Sequence, residues 1–145
     1  MKKLLSLALV LAMALTACFA LTACDDENEN PDNTGNTGND KEVVIEISSD
    51  VLTITSETKL IDYMNALKED GKIDFEISNG MLMSINGKSG ESNEYWMLYT
   101  DDAENSNNSW GSYTYNEKSY GSATLGVEAL PIKEGKTYIW ALQEF

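Results

Sequence analysis

The stretch IDFEISNGMLMSING, residues 73–87, decides what kind of fold this chain adopts. Ile73, Phe75 and Ile77 recur at every second position, the period of a strand with one apolar face. Asn79-Gly80 follows, the strongest short signal for a two-residue hairpin turn, because both residues tolerate the left-handed backbone that such a turn needs. Met81 to Ile85 forms the returning strand, and Asn86-Gly87 makes a second turn of the same kind. Three extended segments joined by tight turns can only pair antiparallel.

Upstream, Ser56 or Thr58 is placed to cap a helix whose apolar positions Leu60, Met64 and Leu67 form one stripe, flanked by Ile61 and Tyr63. Gly71 stands where a helix stops. Still earlier, Val43, Ile45 and Ile47 alternate with Val44 and Glu46, a strand with one apolar face, and Val51 to Thr55 reads as a further extended piece or its continuation. Downstream, Glu94 to Thr100 places Tyr95, Met97 and Tyr99 on one face and Trp96 and Leu98 on the other. Asp101 to Ser109 reads as a polar loop, Trp110 to Tyr115 alternates again, and Tyr138, Trp140 and Leu142 mark a final strand after Lys133-Glu134-Gly135. One helix and about six or seven short strands predict an α+β fold, a small and mostly antiparallel β-sheet domain over residues 42–145. A pure β-sandwich would have to dispense with the helix from Leu60 to Leu67.

The first 23 residues have a different character. Lys2 and Lys3 precede an apolar run from Leu4 to Leu15 broken only by Ser6, and small residues follow. This is the plan of a secretory signal peptide. Leu21-Thr22-Ala23-Cys24 resembles a bacterial lipobox, which implies that Cys24 receives a diacylglyceryl thioether and becomes the first mature residue. Leu15-Thr16-Ala17-Cys18 repeats the tetrapeptide, so Cys18 is the alternative; Cys24 is favoured because the acidic segment starts directly after it. The expected organisation is a leader over 1–23, a lipidated cysteine and disordered acidic tether over 24–41, and the folded domain over 42–145. Residues 25–41 hold no apolar side chain to bury, so ordering them has no compensation. A flexible chain of that length spans roughly 25 Å. The expected location is the outer face of the cell membrane.

Charge narrows the function. All 24 acidic residues lie after Cys24, the net charge is −14, and the ten basic residues are all lysine. Such a surface repels phosphate backbones and offers no arginine forks, so nucleic acid is excluded as a partner. Histidine is absent, which removes the commonest general base and the commonest neutral metal ligand. No G-x-S-x-G elbow occurs, and the acidic residues of Asp101, Asp102 and Glu104 lack the spacing of a calcium loop. Neither enzymatic chemistry nor a cofactor nor a metal site is expected.

Ser84-Ile85-Asn86-Gly87, then Tyr95-Trp96-Met97-Leu98-Tyr99, Gly126-Val127 and Tyr138-Ile139-Trp140 resemble, in that order, the bacterial lipoprotein domain related to the C-terminal domain of transcobalamin and intrinsic factor. The resemblance covers most of residues 42–145. It implies a β-grasp-like α+β unit and capture of a small molecule, a corrinoid such as cobalamin or another vitamin, for uptake. These 145 residues include no helical partner domain of the kind that closes over cobalamin in the animal proteins. Residues 103–123 are longer than the family core requires.

The ligand-binding candidates are aromatic: Tyr95, Trp96, Trp110, Tyr113, Tyr115 and Tyr120. Tyr and Trp supply large contact area with a polar tip at low entropic cost. Trp96 and Trp140 sit in strongly alternating strands and are also expected in the core. Trp110, Tyr113, Tyr115 and Tyr120 border polar residues, which leaves them open to exposure or to packing in an extra hairpin. A second reading makes the same rings a surface for protein or glycan adhesion. The export reading has a direct check: mass spectrometry of the native protein is expected to show Cys24 as the N-terminal residue, carrying a diacylglyceryl group, and an intact unacylated leader would overturn it.

Overall fold

Both Asn-Gly pairs occupy the left-handed region, with φ of 52° and 76° at Asn79 and Gly80 and of 50° and 77° at Asn86 and Gly87. The computed structural model describes residues 40–145; the leader, Cys18, Cys24 and the acidic segment through residue 39 lie outside them. The two turns join β2 (Phe75–Ser78), β3 (Met81–Ile85) and β4 (Lys88–Ser89) into a three-stranded antiparallel sheet. The fold is α+β. Its other strands are β1 (Glu42–Glu46), β5 (Glu94–Thr100), β6 (Ser106–Tyr115), β7 (Lys118–Ala123) and β8 (Thr137–Glu144). They form a second antiparallel sheet in the order β1-β8-β5-β7-β6.

The one helix among the described residues, α1 (Leu60–Glu69), turns Leu60, Tyr63, Met64 and Leu67 inward. A ten-residue helix is too short to persist on propensity alone. Burial holds it, at about 1.5–3 kcal/mol for each large apolar side chain. Its N-terminus differs from expectation. Neither Ser56 nor Thr58 caps it; the N-cap is Lys59, whose backbone N–H donates to the Asp62 carboxylate at 2.8 Å. The Thr58 hydroxyl instead accepts the Thr55 N–H, fixing the turn before the helix, and a bridge from Lys59 to Pro131 sets the entry angle. The C-terminus is as read. Gly71, at φ 71°, donates to the Lys68 carbonyl and Lys72 donates to that of Leu67, a Schellman closure.

Val51 to Thr55 is not a strand. The chain turns at 48–52, where the Tyr63 hydroxyl accepts the Ser48 N–H and donates to the Glu46 carbonyl, and Val51, Leu52 and Ile54 pack against the core without pairing. Residues 106–109, read as loop, open strand β6.

The helix and the small sheet cover one face of the large sheet. Val43, Ile45, Trp96, Leu98, Tyr138, Trp140 and Leu142 meet α1, Phe75, Leu82 and Ile85 there. The opposite face of β1 is also buried, contrary to its one-faced reading. Val44, Tyr99, Ile139 and Ala141 form a second core with Tyr120, against which Met97, Tyr113 and Tyr115 pack. The β6–β7 hairpin supplies this cover. A bulge between Asn107 and Ser112 lets the hairpin lie over the sheet, and a side chain at Gly121 would meet Asn108 at 2.6 Å. Tyr113 stacks on Tyr99 at 5.4 Å and its hydroxyl donates to the carboxylate of Glu42, a residue of β1 that is 8% exposed.

Burial, and then the bond to Glu42, push the Tyr113 hydroxyl up to about 12. A raised tyrosine pKa means that the neutral phenol is favoured by folding. Its contribution is complete below the ordinary value near 10 and is lost as pH rises through about 12. Tyr113→Phe leaves a buried carboxylate without its donor and is expected to cost about 1–3 kcal/mol in urea unfolding at pH 7. That deficit should shrink toward zero as pH passes 12. A Tyr113→Phe protein as stable as the parent at pH 7 would remove the latch from the account.

Candidate functional site: an apolar pocket beside the small sheet

Strand β3 carries Met81, Leu82 and Met83 in succession, so apolar side chains leave both of its faces. Leu82 goes to the core. Met81 and Met83 remain 59% and 47% exposed. They form one wall of a half-open pocket of about 450 Å³, within the range of small-molecule sites. Tyr95, Trp96, Met97 and Leu98 of β5 form a second wall, Trp140 of β8 lies with them, and the segment from Ser122 to Val127 closes a third side. Among the described residues, the six large apolar ones with substantial exposure are Met81, Met83, Tyr95, Trp110, Leu125 and Phe145. Four of these line this one pocket, so the exposed apolar surface is gathered rather than scattered. Three of the chain's six methionines, Met81, Met83 and Met97, are in it. Unbranched, polarisable thioethers adapt to guests of different shape.

The lip is acidic and braced. Glu94 receives an ion pair from Lys41 at 2.5 Å and the backbone N–H of Glu91 at 3.2 Å. The hydrogen bond from Lys41, and then that from Glu91, hold the Glu94 carboxyl below its usual range. The chain therefore enters the domain beside the pocket. Gly90 sits where a side chain would meet the Glu94 carbonyl at 2.2 Å, which forces glycine at this corner.

Of the six aromatic candidates, the structure brings Tyr95 and Trp96 to the pocket. Trp96 is buried there and donates to the Lys88 carbonyl at 3.1 Å. Trp110 stands 66% exposed on the bulge of edge strand β6, apart from the pocket. Tyr113, Tyr115 and Tyr120 belong to the second core, with Tyr115 edge-on to Tyr120 at 6.4 Å. Met81, Met83, Met97, Leu125 and Trp140 were not among the candidates. The one signal for them was the Met81-Leu82-Met83 run, where alternation would place a polar residue on the solvent face.

The acidic loop after β5 is internally engaged. Asp102 is 2% exposed; its carboxylate accepts from Asn105 at 2.7 Å, Lys133 at 3.2 Å and the Glu104 N–H. Burial would raise its pKa, but the bonds from Asn105 and Lys133 outweigh that and hold it below the usual range. Asp101 pairs with Lys118 and accepts the Thr137 N–H. Among the described residues no group of three or more acidic or thiol side chains converges as a metal site would require.

No family model, no curated protein and no solved structure matches this chain.

Two glycines of the pocket test its geometry. Gly90→Ala drives a methyl into backbone and is expected to cost roughly 1–3 kcal/mol. Gly126→Ala meets nothing nearer than 3.8 Å and should fall within about 0.5 kcal/mol of the parent. Equal urea midpoints for the two variants would contradict the placement of the lip.

Proposed function

We propose that this chain is an exported, lipid-anchored module that captures a small, largely apolar molecule outside the cell and holds it for a membrane partner. The single observation that carries the reading is the convergence of Met81, Met83, Tyr95 and Leu125 on one half-open pocket of about 450 Å³. Isolated exposed apolar residues are ordinary, but a gathered set around a concavity marks a binding surface. The leader and Cys24 supply the anchor in this reading, and Tyr95 and Trp96 are the aromatic candidates that serve the pocket.

Corrinoid capture, implied by the resemblance to the transcobalamin C-terminal domain, calls for polar groups to meet a fringe of amides. The Met- and Leu-lined wall supports a less polar guest. Adhesion to a surface protein or glycan is the second reading, and the exposed ring of Trp110 is the observation in its favour.

Residues 25–145 titrated with the neutral fluorophore N-phenyl-1-naphthylamine are expected to give saturable one-to-one binding. Met83→Ser should weaken it about fivefold, the effect of roughly 1 kcal/mol of lost apolar contact. Trp110→Ala should leave it unchanged, and cobinamide should compete poorly. Dye fluorescence that never saturates, or that Met83→Ser does not affect, would overturn the pocket as the site.

A further inference from the structure

The pocket runs along the edge of a strand. Its lining includes Tyr95, Trp96, Met97 and Leu98, four consecutive residues of β5. Successive side chains of a strand leave opposite faces, so a cavity that meets all four lies beside the strand. One edge of β5 is filled by β8 from Glu94 to Thr100, whereas β7 pairs with the other edge only at Tyr99 and Thr100. The chain then leaves that lane after Ala123, and among the described residues no strand replaces it beside Glu94 to Leu98. The open lane is about 16 Å long, at roughly 3.3 Å per residue. The ladder also fixes where the backbone groups of β5 point. Phe145 donates its N–H to the Asn93 carbonyl, so in the unbroken register that follows the bonded pairs with β8 fall at Tyr95 and Met97. Glu94, Trp96 and Leu98 therefore turn their N–H and C=O groups toward the open lane. The Glu94 N–H is taken by the Glu91 carbonyl at 3.1 Å, which closes the lane at the lip. Trp96, in the middle, presents a donor and an acceptor that no neighbouring strand meets. Such an edge is a template for one more strand.

We infer that this lane takes an extended peptide segment of about four residues, apolar until a basic side chain at its C-terminal end, which joins the large sheet as a short strand antiparallel to β5. This rests on the pocket being a ligand site, and it names the ligand's class. A segment in that direction runs in line with β7 and carries its lane onward from Ala123 to the lip. Its backbone pairs with Trp96, and its side chains alternate between the first core, beside Leu82 and Val127, and the face of Met97. The lip selects the charge. Glu91, Glu94 and Glu144 stand there with Lys41 and Lys88, an excess of negative charge in a chain whose net charge is −14. A basic side chain complements that end and a free C-terminal carboxylate opposes it, so the segment is an internal stretch of a longer chain.

Acetyl-Val-Ile-Val-Lys-amide is the probe, and N-phenyl-1-naphthylamine reports occupancy of the pocket. The full chain is held in lipid nanodiscs, with protein-free nanodiscs titrated in parallel to subtract partitioning. The peptide is expected to displace the dye and to slow hydrogen exchange at the backbone amide of Trp96. Replacing its amides one at a time by esters removes single N–H donors at nearly constant shape. Alternate amides of a strand face the same neighbour, so the losses should fall on one parity alone, about fivefold where a bond is removed. The same peptide ending in Glu in place of Lys should bind about fivefold more weakly. Saturable dye binding that the peptide does not displace would overturn the peptide while leaving the pocket a binding site. Displacement with equal losses at every ester, or with Trp96 exchange unchanged, would overturn the strand pairing. If neither dye nor peptide binds, the reading of the pocket as a ligand site fails and the lane with it.

Discussion

Strand β8 is buried from Thr137 to Leu142 without a break, and the rest of the domain is arranged around meeting that requirement. It lies between β1 and β5, so its backbone is paired on both edges. Its side chains divide between two cores, Tyr138, Trp140 and Leu142 facing one and Ile139 and Ala141 the other. A sheet buried on both faces needs two covers. A helix and a small sheet provide the first. The second comes from the sheet's own edge, a hairpin folded back and held at its far end by a phenol on a buried carboxylate. Few residues are spent on that second layer, and its closure joins the packing of Tyr99, Tyr113, Tyr115 and Tyr120 to one polar contact across the sheet.

How much of this was legible depended on how local the physics was. The Asn79-Gly80 and Asn86-Gly87 turns were readable because the φ requirement lies within two residues, and Glu94–Thr100 was readable because its alternation spans the whole strand. The helix stripe and Gly71 were readable for the same reason. The N-cap was not, because the Thr58 hydroxyl was already engaged by Thr55, a competition that composition does not reveal. The second core was hidden for a different reason. Glu42 and Tyr113 are 71 positions apart, and nothing in the pattern of either strand says that they meet. Val44 therefore looked like a solvent-facing position.

The pocket divides in the same way. Aromatic content pointed to Tyr95 and Trp96, and both are there, but the same criterion also selected Tyr113, Tyr115 and Tyr120, whose rings make the second core. Ring type identifies surface that is worth burying; it does not say against what. The residues that give the pocket its adaptable walls come from β3, β5 and the segment after β7, and only the register of two sheets places them together. Trp140 shows the limit most clearly. Its strand position said core, which is correct, while the lack of a hydrogen-bond partner for its buried Nε1 among the described residues is a property of its neighbours.

Lys41 joins the first residues of the domain to Glu94 at the pocket lip, and its carbonyl accepts the N–H of Leu142. Mechanical load arriving along the chain from ahead of residue 40 is thus divided between the rim of the cavity and the Leu142 end of β8. Tension would strain the brace on Glu94 and the bond from Leu142 to the Lys41 carbonyl together, ahead of the β1–β8 ladder that begins at Glu42. The entry of the chain at Lys41 and the mouth of the cavity are mechanically one part, so a pull at residue 40 is also a pull on the shape of the opening.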